Sequence, residues 1–178
     1  MKKSNITILI SFLASFFMLQ SCIDNDPVLF SGSVVEFDAA VWNTPATGQV
    51  YPILTRVPGY GRAISTNATA PSTADPLITR TSGNIEFRVN LVSAQKSEDQ
   101  SISVSVVAEK STAISGTHFT IPSTITIPAN SSFGILTVAV INPGATSGSV
   151  DLVVQLDGNS TIKPSENYKQ IGIRIAQN

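Results

Sequence analysis

Short runs of alternating apolar and polar residues recur through the second half of the chain. In the clearest run, residues 85–91, Ile, Phe, Val and Leu alternate with Glu, Arg and Asn, and residues 101–108 follow a similar pattern with serines. A period of two places the apolar side chains on one face of a β-strand. No window of a dozen residues after position 22 has the apolar spacing of an amphipathic helix. The pattern therefore predicts an all-β domain.

The alternation and the turn residues between the runs predict about seven to nine short strands. We expect them at residues 34–42, 85–91, 101–108, 119–121, 125–127, 135–141, 150–156 and 171–175, with one more within 49–55. A polar turn at residues 95–100 joins two of these strands as in a hairpin. Residues 135–141 are apolar on both sides, which indicates a central strand. Short strands between frequent turns favour an antiparallel sandwich with Greek-key connections.

The least regular region lies between residues 43 and 80. Pro58-Gly59-Tyr60-Gly61 has the composition of a turn, and residues 63–76 are nearly all small and polar. We expect a short hairpin here, followed by a flexible loop over residues 63–76.

The first 22 residues have the layout of a secretory signal peptide. Lys2 and Lys3 precede an apolar run at residues 6–19, which is too short to span a bilayer comfortably. The step Leu19-Gln20-Ser21-Cys22 resembles the lipobox of bacterial lipoproteins. This resemblance implies that residues 1–21 are removed and that Cys22 receives lipid, which anchors the protein to a membrane.

The segment after Cys22 has no strand or helix pattern. We expect residues 22–32 to form a tether and residues 33–178 to form a single β-sandwich domain, which is long enough to have its own core. Asp24 and Asp26 resemble the surface-export signal of Bacteroidetes lipoproteins. The alternative is that these two aspartates only keep the linker solvated.

The composition excludes several classes of function. Cys22 is the single cysteine, so an intramolecular disulfide is excluded. Removal of residues 1–21 leaves nine basic and twelve acidic residues, a net charge of −3. A weakly acidic surface gives no electrostatic reason to expect nucleic acid as a partner.

The chain offers few residues for metal or catalytic chemistry. His118 is the only histidine, whereas a zinc site needs several His or Cys ligands. A serine or threonine nucleophile also needs a base, and we expect His118 to have a structural or surface role. Asp157-Gly158-Asn159 has the composition of a hairpin turn rather than a cation site. We therefore expect that the protein is not an enzyme and binds no cofactor or metal. A carboxylate pair for glycoside hydrolysis is left open, because a sequence does not show the distance between two carboxylates.

Residues 116–140, GTHFTIPSTITIPANSSFGILTVAV, resemble the Calx-beta type of immunoglobulin-like sandwich and related domains of unknown function in Bacteroidetes lipoproteins. The resemblance covers about the last hundred residues and implies the same fold. His118 stands where Calx-beta domains usually carry Asp, which weakens the expectation of calcium binding. Asn130 stands where the turn usually carries Gly, and Asn can adopt the positive φ that such a turn requires.

Three aromatic residues fall in the irregular first third of the chain, namely Trp42, Tyr51 and Tyr60. Exposed aromatic faces stack on sugars, so these residues are candidates for a ligand-binding platform. The alternative, which we favour, is that Trp42 caps the core and that the two tyrosines pack the loop beneath them.

Together these features favour a lipid-anchored outer-membrane lipoprotein that faces either the periplasm or the cell surface. The first hypothesis is a non-catalytic accessory module that binds carbohydrate or another envelope protein, within a nutrient (glycan) uptake system. The second is a structural or adhesive cell-surface subunit that works by protein contacts alone. An unrecognised hydrolase is the third and weakest alternative.

Overall fold

The computed structural model describes residues 30–59 and 75–178, and the following statements concern these residues. The predicted signal peptide, Cys22, most of the tether, Tyr60 and most of the loop at 63–76 lie outside them. Ser31–Asn178 forms one compact unit. Within the described ranges, no helix has the length and apolar character needed to cross a membrane.

The described chain contains ten strands, one short α-helix and one 3-10 helix. The strands are β1 (Val34–Phe37), β2 (Ile53–Leu54), β3 (Asn84–Val92), β4 (Gln100–Val106), β5 (Phe119–Thr120), β6 (Thr124–Ile127), β7 (Phe133–Val140), β8 (Ser149–Gly158), β9 (Lys163–Pro164) and β10 (Gln170–Ala176). The α-helix, α1, is Asp38–Trp42, and the 3-10 helix is Ala108–Lys110.

The strands form two five-stranded sheets. Sheet A has the order β5-β7-β3-β1-β9, and sheet B has the order β2-β10-β8-β4-β6. Consecutive strands therefore alternate between the sheets, with the odd-numbered strands in sheet A and the even-numbered strands in sheet B. All pairings are antiparallel except β1 with β9 and β2 with β10. The predicted all-β sandwich is confirmed. Three of the ten described strands are only two residues long, which is too short to produce a periodic pattern in the sequence.

The hydrophobic core lies between the two sheets and follows the predicted period of two. In β3 the side chains of Ile85, Phe87 and Val89 are buried, and in β10 those of Ile171 and Ile173 are buried. Each fully buried side chain of this size contributes about 1.5–3 kcal/mol before the cost of chain entropy. The alternation in the sequence thus gives the correct inward face of these strands.

The predicted strand at residues 34–42 is wrong in its second half. The strand ends at Phe37, and α1 follows directly. Ala39 and Ala40 are adjacent and both 3% exposed, which a strand with one buried face does not allow. Alanine is the best helix former, and Asp38 in the first turn interacts favourably with the helix dipole.

The predicted hairpin across residues 95–100 is also wrong, because β3 and β4 belong to opposite sheets. β5 and β6, which are joined by Ile121-Pro122-Ser123, also belong to opposite sheets. Both strands of each pair direct their apolar faces into the same core, whether they pair with each other or face each other across it. Alternation alone therefore cannot distinguish a hairpin from a crossover between sheets.

The strand predicted to be central, β7, does lie between two neighbours, β5 and β3. However, Ile135 on its outer side is 37% exposed, so the strand is not buried on both faces. The strand with a second buried face is β8, in which Val153 is buried on the outer side of sheet B. The Val153 amide donates to Ser111 Oγ and its carbonyl accepts from the Val107 amide, which ties residues 107–111 over this strand.

In the irregular region, residues 55–57 pair with residues 76–78, so the paired segments lie on both sides of the predicted loop rather than before it. The Ile78 amide donates to the Thr55 carbonyl and the Val57 amide donates to the Pro76 carbonyl, each at 2.9 Å. Arg56 and Leu77 form an antiparallel bridge between these contacts. The second of these segments then reaches sheet B, because Thr79 forms a parallel bridge with Ala176 of β10.

Two turns behave largely as their sequences predict. Asn130 has a φ of +59° and is the only non-glycine residue with a positive φ among those described, so Asn replaces Gly at this turn. Gly158, with a φ of +77°, ends β8, and the Asn159 side chain accepts from the Thr161 and Ile162 amides. The second turn leads into the other sheet and therefore does not form a hairpin.

Candidate functional site

A surface groove of about 270 Å³ lies at the end of α1. We call it the Trp42–Tyr168 groove, and its principal lining side chains are Trp42, Asn43, Thr44, Val50, Asn167 and Tyr168. They come from three segments of the chain: the end of α1 with the residues that follow, the segment before β2, and the link between β9 and β10. The groove is thus assembled only when the sandwich is complete.

Backbone and side-chain hydrogen bonds fix these segments. Asn43 Nδ2 donates to the Ala39 carbonyl at 2.6 Å and so caps the C-terminal end of α1. The Phe37 amide donates to the Tyr168 carbonyl at 2.9 Å, which holds the link between β9 and β10 against β1. The Ala46 amide donates to the Tyr51 carbonyl at 3.0 Å and closes the loop that presents Val50. The groove walls are therefore positioned by the fold.

Two aromatic side chains in the groove retain large exposed surfaces. Trp42 is 47% exposed and Tyr168 is 37% exposed. Among the described residues, no hydrogen bond occupies the side chains of Trp42, Thr44, Asn167 or Tyr168. The groove therefore combines apolar ring surface with amide, hydroxyl and indole groups that are available to a ligand.

The structure separates the aromatic residues that the sequence grouped together. Trp42 lies in the groove, whereas Tyr51 is 3% exposed and packs on the outer side of sheet B. Tyr60 lies outside the described residues. The groove instead brings Trp42 together with Tyr168, more than a hundred residues later in the sequence.

Tyr51 packs over β10 at Gly172, where the lack of a side chain leaves space for its ring. A Cβ atom at Gly172 would lie 3.3 Å from Tyr51 Cε2 and 2.9 Å from Ile53 Cγ1. Lys110 Nζ lies 5.0 Å from the centre of the Tyr51 ring, a cation–π contact. Burial raises the pKa of the Tyr51 hydroxyl above its ordinary value of 10, and the charge of Asp151 raises it further. These contacts give Tyr51 a packing role.

His118 has a structural environment. Its Nδ1 atom accepts a hydrogen bond from the Ile114 amide at 3.0 Å, and its own amide donates to the Ile114 carbonyl at 2.9 Å. The side chain thus closes the turn before β5. In the described part of the chain, no group of three or more His, Cys, Asp or Glu residues is arranged to hold a metal ion.

One interacting carboxylate pair, Glu36 and Asp38, lies on and beside the outer side of sheet A. Burial raises the pKa of the Glu36 carboxyl, and the charge of Asp38 raises it further. Asp38 Oδ1 accepts from Asn90 Nδ2 at 2.8 Å, and Asn90 Oδ1 accepts from Arg88 Nε at 3.0 Å. Neither carboxylate lines the Trp42–Tyr168 groove.

A sequence family described as Domain of unknown function (DUF4843) matches residues 77–177. No curated protein matches the chain. The match spans β3 to β10, so it includes Asn167 and Tyr168 of the groove and excludes Trp42, Asn43, Thr44 and Val50.

Three solved structures are similar to parts of the chain. They are CBD12 from CALX1.2 (17% identity, TM-score 0.46), the apo-form Calx CBD1 domain (16%, 0.48) and the calcium binding domain CBD12 of CALX1.1 (16%, 0.47). The matches cover 56%, 57% and 56% of this chain and 39%, 88% and 40% of those chains, respectively. The chain therefore spans less than half the length of the two CBD12 structures.

Proposed function

This chain belongs to the family Domain of unknown function (DUF4843), and we propose that it is a non-catalytic, lipid-anchored binding module of the bacterial cell envelope. The anchor is lipid on Cys22, and the proposed location is the outer membrane, on either its periplasmic or its external face. Support for this location comes from the sequence: a charged start, a short apolar run and a lipobox-like step that ends at the single cysteine.

Mass spectrometry of the mature protein tests the anchor. We expect an N-terminus at Cys22 that carries lipid, and we expect Cys22→Ser to leave the protein unlipidated and detached from membranes. A mature N-terminus at another position, or an unmodified Cys22, would remove the anchor. Protease treatment of intact cells then reports which face of the membrane the domain occupies.

The proposed ligand is carbohydrate, bound in the Trp42–Tyr168 groove as part of a nutrient uptake system. The observation that carries this proposal is the presence of two partly exposed aromatic rings in one groove that also contains amide and hydroxyl side chains. The C–H face of a sugar ring packs on an aromatic ring, while its hydroxyl groups need directed hydrogen-bond partners. The groove offers both types of group within about 270 Å³.

Affinity electrophoresis through gels that contain single polysaccharides tests this function. The mature chain is used in a polyoxyethylene detergent, whose headgroup is not a sugar. We expect retention by at least one glycan and loss of that retention in Trp42→Ala and Tyr168→Ala. Phe133→Ala is the matched control, because Phe133 is a similarly exposed aromatic residue, at 40%, that does not line the groove. Absence of retention on every glycan would contradict the proposal.

A second candidate is a structural or adhesive subunit that works by contact between copies of this chain. It is favoured by the outer side of sheet A, which exposes Phe133 and Ile135 and places Arg88 4.4 Å from the centre of the Phe133 ring. Glu86 and Arg88 also lie on the outer side of β3, two residues apart. A two-fold crossing of two such faces can place Glu86 of each copy against Arg88 of the other.

Light scattering at increasing protein concentration tests the second candidate. We expect a dimer that Ile135→Lys dissociates and that Ser103→Lys, on the outer side of sheet B, leaves intact. Glu86→Arg should weaken the dimer by like-charge repulsion, and Arg88→Glu combined with it should restore association. A monomer at all concentrations would contradict this function.

A further inference from the structure

The Trp42–Tyr168 groove has a uniform electrostatic character. None of the described residues that line it carries a charge, and their polar side chains are amides, a hydroxyl, an indole and a phenol. Other surfaces of the domain differ: Asp151 and Arg174 form a two-pronged ion pair on sheet B, and Arg88 lies on sheet A. The groove is therefore a local region without fixed charge on a domain that has charged side chains elsewhere.

An anionic ligand would bind poorly at such a surface. A carboxylate or sulfate that leaves water is best stabilised by a cation, and the described residues that line the groove include none. The net charge of −3 after loss of residues 1–21 adds a repulsive field for anions. Uncharged hydroxyl groups pay a smaller desolvation penalty, and amide and hydroxyl side chains can offset it.

The size of the groove limits how much of a ligand it can hold. Its volume of about 270 Å³ lies just below the roughly 300–1,000 Å³ of pockets that enclose drug-sized ligands. Such a volume suits one sugar ring rather than a stretch of several.

Building on the proposed carbohydrate function, we infer that the Trp42–Tyr168 groove selects one uncharged sugar ring and rejects uronates and sulfated sugars. The ring packs its apolar face on the indole of Trp42 or the phenol of Tyr168. The Asn167 amide and the Thr44 hydroxyl bind its hydroxyl groups.

Matched pairs of polysaccharides test this selectivity in the affinity gels. The neutral members are galactan, mannan and β-glucan, and the anionic members are polygalacturonate, alginate and heparan sulfate; galactan and polygalacturonate form the closest pair. We expect retention by a neutral member that changes less than about two-fold between 50 and 500 mM NaCl, because no ion pair is screened. Trp42→Ala and Tyr168→Ala should each weaken this retention about ten-fold, and Phe133→Ala should not.

The outcomes separate the inference from the function on which it rests. Retention only by anionic members, falling steeply with salt, would overturn the inferred selectivity and leave carbohydrate binding in place. Neutral retention that survives both aromatic substitutions would overturn the assignment of the groove. No retention by either panel would overturn the carbohydrate function itself. Competition by free methyl glycosides at millimolar concentration would support the single-ring size, whereas competition by oligosaccharides alone would contradict it.

Discussion

Single residues determine how closely the two sheets approach each other. At Gly134 in β7, a Cβ atom would lie 2.6 Å from the Thr126 carbonyl oxygen in β6 and 3.1 Å from Ile127 Cγ1. The first contact is with backbone, which cannot rotate away as a side chain can. Glycine is therefore required here by the contact between β7 and β6, not by an unusual backbone conformation.

Gly134→Ala is expected to destabilise the domain by about 1–3 kcal/mol, the usual cost of overpacking a well-packed contact. Urea unfolding followed by tryptophan fluorescence measures the change. Ser103→Ala, at an exposed position of β4, is the control and should stay within about 0.5 kcal/mol of the original chain. Equal stability of Gly134→Ala and the original chain would show that the sheets can separate at this point without cost.

The raised pKa of Glu36 gives a stability that depends on pH. Because its carboxyl is more easily protonated in the folded state, its stabilising contribution is complete below its ordinary pKa of 4.5 and is lost as pH rises through the folded-state pKa. Glu36→Gln should therefore be more stable than the original chain at pH 7, and this difference should shrink towards pH 3.5. Urea unfolding at both pH values measures it.

Glu86→Gln is the matched control for Glu36→Gln, since Glu86 is exposed on the outer side of the neighbouring strand β3. The same pH dependence in both variants would show that removal of a negative charge, rather than the burial of Glu36 beside Asp38, causes the effect.

The turn between β6 and β7 shows how one residue sets an element. Asn130 occupies the left-handed region of φ and ψ. Its backbone amide donates to the Lys96 carbonyl at 2.7 Å, which fixes the turn against the link between β3 and β4. For a residue whose side chain has no polar group, this backbone conformation costs about 1–2 kcal/mol of free energy. Glycine has no Cβ atom and therefore avoids this steric cost.

Asn130→Ala is therefore expected to destabilise the domain by about 1 kcal/mol, and Asn130→Gly should lie within a few tenths of the original chain. Thermal unfolding of the two variants measures the order. An alanine variant as stable as the glycine variant would mean that the turn changes its conformation.

At the same scale, the sequence predicts the elements better than their partners. The period of two located the longer strands, such as β3 and β10, because each has one buried face. It missed α1, since Ala39 and Ala40 fit an apolar strand as well as a helix. It also predicted a hairpin between β3 and β4, because a strand with one buried face has the same sequence pattern in either sheet. For the groove, Trp42 was found from its residue type, but its position beside Tyr168 depends on long-range packing that no local pattern encodes.

At the scale of the whole molecule, the two sheets are mutually dependent. Because consecutive strands alternate between them, each strand pairs with strands at least two elements away in the sequence. Such non-local pairing is typical of domains that fold in milliseconds to seconds rather than microseconds. We therefore expect one cooperative unfolding transition for Ser31–Asn178 rather than separate transitions for each sheet.

Deletion of residues 170–178 tests this dependence. Although nine strands remain, β2 loses its only partner strand and β8 loses one of its two. The buried side chains of Ile171, Ile173 and Ile175 are also removed from the core. We expect no folded domain, seen as loss of near-ultraviolet circular dichroism and of amide dispersion in NMR. Deletion of the exposed Asn178 alone is the control. A native-like spectrum from the longer deletion would show that sheet A can form without a complete sheet B.

The alternation of consecutive strands between the two sheets also determines when each sheet can be completed as the polypeptide emerges, N-terminus first, from a ribosome or a translocation pore. β1 can pair early with β3 but meets its second neighbour, β9, only late, and β2 has no partner strand until β10 appears. Sheet A has all its strands only once β9 has emerged, and sheet B only once β10 has emerged. The complete sandwich can therefore close only after β10 has passed, and a narrow channel would no longer admit that folded shape.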